Sequence, residues 1–306
     1  MKTLLLVDGN ALLHRAYHAL PVFKTSKGTP TNAVYGFITM LLKTKDSFKP
    51  THIAVCFDRP EPTFRNKLYK EYQIQRPKVD DDLIVQFPVV RDFLDAAKIA
   101  RLEKPGFEAD DLIGTVSTKA KKAKFKILIL TADKDILQLI NGATAVISPH
   151  KGLTELKMYD EVEARDRLGV KPSQVADFKA LMGDQSDNYK GIPGIGPKTA
   201  ANLLNNFISL ENIYKNINKI TNEKIKNMLI AHKKDALMSK KLATIVTDVK
   251  IDLDLESCKF ESYNENLKAF FEKMEFKSLV KRYFAPKNDE GQNKENNDEK
   301  EQLGLF

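Results

Sequence analysis

Three runs of consecutive apolar residues, Leu4–Val7, Ile53–Phe57 and Ile127–Leu130, show no alternation of polar and apolar positions. Unbroken apolar stretches of this length read as strands buried on both faces, the arrangement of a parallel sheet covered by helices. Between them, Phe93, Leu94 and Ala97, and then Leu112, Ile113 and Val116, recur at helical spacing. The predicted fold class is therefore α/β, a mainly parallel central sheet flanked by helices. From about residue 171 to 286 the pattern is helical, with one further strand predicted at Lys250–Asp254. Lys287–Lys300 holds no hydrophobic residue and is predicted to be disordered.

Each apolar run ends in acid: Asp8 follows the first, Asp58 the second, Asp133 and Asp135 the third. Ligands of open α/β sheets gather beyond the carboxyl ends of the strands, so these side chains are expected at one edge. Glu108, Asp110 and Asp111 follow the break at Pro105-Gly106 and are predicted to open a helix, where the macrodipole favours negative charge. Three acids exceed what one cap needs. Asp184 and Asp187 complete the set. Carboxylates 4 Å apart repel by roughly 4 kcal/mol per pair at an effective dielectric near 20, so a cation must offset them. An oxygen-only donor set suits Mg²⁺ or Mn²⁺, whereas zinc would draw on the scarce Cys and His. The chemistry indicated is metal-assisted and directed at phosphate.

The formal charge of the 306 residues is +8 although acids crowd one site, so the remaining surface is basic. Arg59, Arg65, Lys67, Lys70, Arg76 and Lys78 form one cluster, and Lys119, Lys121, Lys122, Lys124 and Lys126 another. Such clusters suit a polyanion; a solvated lysine face explains either one alone, and the neighbouring metal site tips the reading toward nucleic acid. Residues 59–90, punctuated by Pro60, Pro62, Pro77 and Pro88, are expected to form a mobile excursion from the sheet. Its Phe64, Tyr69 and Tyr72 serve base stacking or ordinary packing, alternatives the spacing leaves open. Cys56 and Cys258 give no disulfide framework, so a reducing, cytoplasmic setting is expected. Asp8 interrupts what would otherwise mimic a signal peptide, and no other segment could span a bilayer.

Gly191-Ile192-Pro193-Gly194-Ile195-Gly196-Pro197-Lys198-Thr199-Ala200 resembles a helix-hairpin-helix. Gly191, Gly194 and Gly196 would let backbone approach DNA, and the N–H groups of the helix begun by Lys198 and Thr199 would meet a phosphate.

Taken together, Val7–Asn10, Thr29–Phe37, Phe57-Asp58, Thr63–Arg65, Phe107–Asp111, Thr131–Asp135 and Gly183–Asn188 resemble the 5′-3′ exonuclease domain of bacterial DNA polymerase I, within the flap endonuclease family. The resemblance covers about residues 1 to 286, and no polymerase portion follows it, so the chain looks like a stand-alone 5′ nuclease with a PIN-like core. It implies a first metal on Asp8, Asp58, Glu108, Asp110 and Asp111, and a second on Asp133, Asp135, Asp184 and Asp187. Two Mg²⁺ roughly 4 Å apart, replaceable by Mn²⁺, would assist in-line attack of water on a phosphodiester. The organisation implied is a nuclease core over residues 1–173 with a helical arch near 59–90, a helical DNA-binding subdomain over 174–286 with K⁺ at its hairpin, and a tail over 287–306. DNA with 5′ flaps, nicks or RNA primers is the implied substrate of a monomer serving primer removal and repair.

Two positions depart from the family. Tyr72-Gln73-Ile74-Gln75-Arg76 carries Gln73 where relatives carry a lysine thought to contact the scissile phosphate, so Lys70 or Arg65 is expected to substitute. His14 stands where relatives usually carry Tyr, and joins Tyr72 and Arg76 as an expected DNA contact. The final Gln302, Leu303, Leu305 and Phe306 look like the bacterial sliding-clamp pentapeptide on a tether. Two rival readings stand beside the nuclease: a protein that holds branched DNA without cutting, and a PIN-type ribonuclease, the latter opposed by the long basic excursion and the hairpin.

Overall fold

A computed structural model describes residues 2–285. Six strands, β1 (Thr3–Asp8), β2 (His52–Phe57), β3 (Ala100–Glu103), β4 (Lys126–Leu130), β5 (Thr144–Pro149) and β6 (Leu156–Tyr159), form one sheet in the order β3-β2-β1-β4-β5-β6. β1 to β5 run parallel and only β6 is antiparallel, so β1, β2, β4 and β5 all present their carboxyl ends at one edge. Strand order reverses at β1, which makes the end carrying Asp8 a topological switch point, the place where open sheets open a crevice.

Alternation along β1 divides the core. Leu5 and Val7 point into one apolar cluster with Phe37 of helix Asn32–Phe48 and Phe93 of helix Gln86–Ala96, while Leu4 and Leu6 join Ile113 of helix Ala109–Lys122 on the other face. Both faces are thereby buried, which is why the sequence of β1 is apolar without a break. A third cluster belongs to helices Val175–Met182, Pro197–Phe207, Leu210–Lys215, Glu223–Ala231 and Lys233–Ala243, centred on Phe178, Leu181, Ile192, Leu204 and Ile213.

Two expectations change. Helices Glu265–Lys273 and Lys277–Phe284 return to the sheet rather than extending the helical unit: Phe270, tilted, and Phe271, stacked, pack on Phe93 at centroid distances of 5.8 and 6.3 Å. The strand predicted at 250–254 does not form. Leu253 is buried and Ile251 packs beside it, but both lie against the cluster around helix Ala109–Lys122, where a helix offers no ladder partner. Among the described residues no helix is long and apolar enough to cross a membrane.

Candidate metal centre and nucleic-acid interface

Asp8 is both the last residue of β1 and the N-cap of helix Gly9–Ala19, so strand end and helix start aim its carboxylate together. Its Oδ1 accepts from the Ala11 N–H at 2.9 Å and its Oδ2 from the Thr131 hydroxyl at 2.7 Å. A Cβ at Gly9 would lie 2.3 Å from the Phe57 ring, so glycine lets the ends of β1 and β2 converge. Asp58, just past β2, accepts from the Ala109 N–H at 2.7 Å and is thereby tied to the start of helix Ala109–Lys122. Glu108 caps that helix and is held by the Thr63 hydroxyl at 3.1 Å and the Tyr72 hydroxyl at 3.3 Å.

The electrostatics of this group are unfavourable in the protein alone. Burial, and then the charges of Asp58 and Asp133, hold Asp8 up at about 7 against the relief its hydrogen bonds give. Burial also carries Glu108 to about 7 despite Arg65, and raises Asp58. Asp110 is pushed well above the carboxylate range by burial and then by Asp133, Asp8 and Asp58.

Asp133 and Asp135 lie in the loop after β4, where Asp133 Oδ1 accepts from the Asp135 N–H at 2.8 Å. Asp184 enters from the helical unit on a two-residue ladder, Gly183–Asp184 with Tyr189–Lys190. Gly183 adopts φ +77°, and a Cβ on Gly191 would sit 2.1 Å from the Met182 carbonyl carbon, so glycines allow the hairpin to close on the site. Asp135, Asp184 and Asp187 offer oxygens that all lie within 4.8 Å of one another. Lys179, which sequence reasoning did not single out, reaches from helix Val175–Met182 to bond both Asp135 and Asp184. Burial lifts Asp135 to about 7; desolvation acts on Asp184 too, but Lys179 and Ser186 outweigh it and leave that carboxyl below its usual value. The signal for Lys179 was its place one and a half helical turns before Asp184 on the helix that delivers it.

Three predicted roles are corrected by burial. Asp111 is fully buried, with Arg65 on both oxygens at 2.7 and 2.8 Å and the N–H groups of Val246 and Glu108 at 2.9 and 3.1 Å, so its acceptor positions are taken and none is left for a metal. Arg65, 2% exposed, spends its remaining donors on the Leu242 and Thr244 carbonyls and cannot reach a DNA phosphate. Tyr72 is 4% exposed, its ring stacked beside Tyr189 and its hydroxyl on Glu108 and Asp187, so it orients carboxylates and offers no face to a base. The excursion is correspondingly a short helix, Phe64–Leu68, a turn and a second helix, Asp81–Ile84, pinned at its base. The Lys119–Lys126 cluster also moves: helix Ala109–Lys122 starts at the acids and ends about 20 Å away. Those lysines therefore flank the opposite edge of the sheet.

Gln73 has work other than phosphate contact. It sits at φ +57°, its N–H donates to the Asp187 carbonyl at 2.9 Å and its amide to Asp187 Oδ1 at 3.1 Å, beside Arg76 at 2.7 Å. Gln73→Gly keeps the backbone bond and the conformation while removing the side-chain donor. The Mg²⁺ concentration for half-maximal cleavage is expected to rise by up to about tenfold with kcat nearly unchanged. An unchanged Mg²⁺ requirement would show that Gln73 does not orient Asp187.

Of the remaining predicted contacts, Lys70 and Lys198 are exposed, and His14 is half-buried with its ring 6.4 Å from those of His18 and Phe87. Burial, then His18 and Arg76, lower the His14 pKa and so favour the neutral ring. Gly194 turns at φ +82°, Ile192 and Ile195 anchor the hairpin in the third core, and helix Pro197–Phe207 begins with Lys198 and Thr199 in its first turn, as expected. A cleft of about 1180 Å³ joins Asp133, Asp135, Asp184 and Asp187 to Arg76 and the hairpin turn.

The donor set fits a hard divalent cation. Asp8, Asp58, Glu108, Asp110, Asp133, Asp135, Asp184 and Asp187 offer oxygen only, while both cysteines are buried in the second core. Residues 3–169 match the family described as 5′-3′ exonuclease, N-terminal resolvase-like domain, and residues 170–266 match the 5′-3′ exonuclease C-terminal SAM fold. The chain belongs to the 5′-3′ exonuclease family. It is 42% identical over 286 residues to a 5′-3′ exonuclease of Aquifex aeolicus, covering 92% of this chain and 95% of that protein. DNA polymerase I of Bacillus subtilis is 42% identical over 282 residues, and the chain spans only 32% of its length. Among solved structures, a T5 protein co-crystallised with metal ions superposes with TM-score 0.66 at 18% identity, over 90% of this chain and 99% of that one. The T5 flap endonuclease in complex with DNA and metal ions superposes with TM-score 0.65 at 20% identity, over 90% and 100%. Family membership makes this 5′-3′ exonuclease a metal-dependent phosphodiester hydrolase.

A pH dependence follows. With Asp8, Glu108 and Asp135 raised to about 7 in the folded protein, it binds more protons than the unfolded chain between about pH 4 and about pH 7. Their contribution to stability therefore falls as pH rises through that window. A divalent cation must displace the same protons. The gain in melting temperature on adding Mg²⁺ over chelator should grow from about pH 5 and level off above about pH 7. A gain that is flat across the range would count against metal binding at these carboxylates.

Proposed function

We propose that the exonuclease holds one Mg²⁺ on Asp8, Asp58, Glu108 and Asp110 and a second on Asp133, Asp135, Asp184 and Asp187, and cleaves 5′ flaps and RNA primers on DNA during primer removal and repair in the cytoplasm. The observation that carries the reading is the meeting of Asp135, Asp184 and Asp187, whose oxygens lie within 4.8 Å of one another in a cleft that opens onto the hairpin, beside Asp8, Asp58, Glu108 and Asp110 at the ends of β1 and β2 and the start of helix Ala109–Lys122. Bound divalent ions would supply Lewis-acid charge and acidify the attacking water. The chain's own residues do the rest. Ala11 and Thr131 orient Asp8, Thr63 and Tyr72 orient Glu108, and Gln73 and Arg76 orient Asp187.

Phosphates of the duplex are bound by Lys70, Lys198, His14 and the free N–H groups at the start of helix Pro197–Phe207, with K⁺ at the turn containing Gly191, Gly194 and Gly196. The division into a nuclease core and a helical DNA-binding unit beginning near residue 174 belongs to this reading, with the final helices assigned to the core. So does docking on the sliding clamp through Gln302, Leu303, Leu305 and Phe306, residues that lie outside those the structure describes.

The test is a 5′-labelled flap substrate incubated with Mg²⁺ or with chelator, beside an Asp184→Ala variant. Cleavage near the branch that needs Mg²⁺ and collapses in the variant supports the reading. Tight binding with no cutting would replace it by a protein that only holds branched DNA.

A further inference from the structure

Tyr72 and Tyr189 stack with ring centroids 6.5 Å apart and planes inclined by 15°, yet their hydroxyls are treated differently. That of Tyr72 bonds Glu108 and Asp187 at 3.3 and 3.2 Å. That of Tyr189 is buried and has no hydrogen-bond partner among the described residues. A hydroxyl buried without a partner is costly, and native proteins keep few of them. Tyr189 is only 4% exposed and helps to line the cleft of the acids. In the two-residue ladder it is paired directly with Asp184. Directly paired residues of an antiparallel ladder carry their side chains on one face, with Cβ atoms about 4.5–5.5 Å apart. The Tyr189 ring therefore stands beside the Asp184 carboxylate and the Lys179 ammonium bonded to it.

Asp184 has one oxygen to offer. Its Oδ1 already accepts from the Ser186 N–H at 2.8 Å, the Ser186 hydroxyl at 2.5 Å and the Asp187 N–H at 3.3 Å. Only Oδ2 is left for a metal, and Lys179 holds it together with Asp135 Oδ2. Lys179 is thus the cation of this site in the metal-free protein. A divalent ion that takes both oxygens leaves an ammonium, its side chain 17% exposed, in need of an acceptor. Every carboxylate of the trio is then engaged by the ion. A phenolic oxygen accepts as well as donates, and that of Tyr189 is unclaimed. Burial raises the pKa of this hydroxyl, and Lys179 is the strongest of the charges that act on it.

We propose that Tyr189 is the acceptor to which the Lys179 ammonium passes when Asp135 and Asp184 take a divalent cation. No proton is transferred: Lys179 keeps its charge, gives up two carboxylate oxygens and donates to the phenolic oxygen. The hydroxyl orphaned in the metal-free protein is satisfied in the loaded one, and the cost of displacing Lys179 falls. Tyr189 is then a positioning residue that acts through Lys179. The inference rests on the proposed second metal site, to which it adds the exchange of one cation for another.

Full-length protein without DNA is titrated with Mn²⁺, the free ion being counted by electron paramagnetic resonance, and Asp184→Ala identifies the Mn²⁺ that belongs to this site. Tyr189→Phe keeps the ring and should weaken that Mn²⁺ about tenfold. In a Lys179→Met background, where no ammonium needs an acceptor, Tyr189→Phe should change nothing further. In chelator Tyr189→Phe should melt no lower than the parent, because no hydrogen bond is lost with the hydroxyl. Adding Mg²⁺ to the parent should shift the tyrosine absorption band by an amount that Tyr189→Phe lacks, and this reading decides the matter if Lys179→Met does not fold. Equal weakening in both backgrounds would mean that Tyr189 serves the cation or its waters directly, which overturns the exchange. Mn²⁺ binding unchanged by Tyr189→Phe, or a lower melting temperature in chelator, overturns it too. In each of these cases an intact effect of Asp184→Ala leaves the metal site standing. If Asp184→Ala binds as much Mn²⁺ as the parent and as tightly, the second metal site falls and the exchange with it.

Discussion

Asp110→Asn is expected to lower Mg²⁺-dependent cleavage on the order of 10³-fold or more in kcat, because several kcal/mol of metal-supplied charge stabilisation are lost with one ligand. The same substitution should raise the melting temperature of the protein in chelator. Burial and the charges of Asp133, Asp8 and Asp58 all disfavour the Asp110 carboxylate. Asparagine keeps the shape and removes the repulsion. Opposite signs for activity and stability mark a residue whose cost is borne for function. Kinetics on a flap substrate and melting in chelator decide it: a variant that loses stability together with activity would make Asp110 a structural residue.

The contrast with its neighbour shows where the sequence stops being legible. Asp110 and Asp111 are adjacent on one helix and therefore point about 100° apart. One faces the acidic row and the other faces Arg65. Nothing in the local pattern says which, because the deciding partner lies 46 residues away in sequence. The acids at strand ends were legible for the opposite reason: an unbroken apolar run fixes both the strand and the position of the residue that ends it. β1, β2 and β4 are such runs, whereas β3 reads Ala-Arg-Leu-Glu, and its exposed Arg101 hides it from any hydrophobic count. The C-terminal helices were legible as helices but not as part of the α/β core. Their attachment rests on Phe270 and Phe271 meeting Phe93, a contact between distant segments that periodicity does not encode.

Arg65→Met is expected to destabilise the protein by about 3–5 kcal/mol, since it leaves the Asp111 carboxylate buried without its counter-charge. Both partners are essentially inaccessible, Arg65 at 2% and Asp111 at 0%, so water cannot replace the lost bonds. The double variant Arg65→Met/Asp111→Leu should recover part of the loss, because no charge then remains to be desolvated. Recovery cannot be complete. The Leu242 and Thr244 carbonyls and the Val246 and Glu108 N–H groups all lose partners, at about 1–3 kcal/mol for each one left unsatisfied. Cleavage should fall as well, although Arg65 touches no substrate: its Nη1 lies 3.3 Å from Glu108 Oε2, and Asp111 accepts the N–H that completes the cap of Glu108. Urea unfolding and flap cleavage, measured on the single and double variants, separate the alternatives. If Arg65→Met unfolds at the parent's midpoint and yet fails to cut, Arg65 reaches the scissile phosphate in place of the lysine that Gln73 replaces, and the buried pairing with Asp111 does not describe the working enzyme. If stability falls and the double variant regains a share of it, Arg65 acts by holding the first turn of helix Ala109–Lys122 in place, and the cation that contacts the strand must be sought among the exposed residues of the excursion.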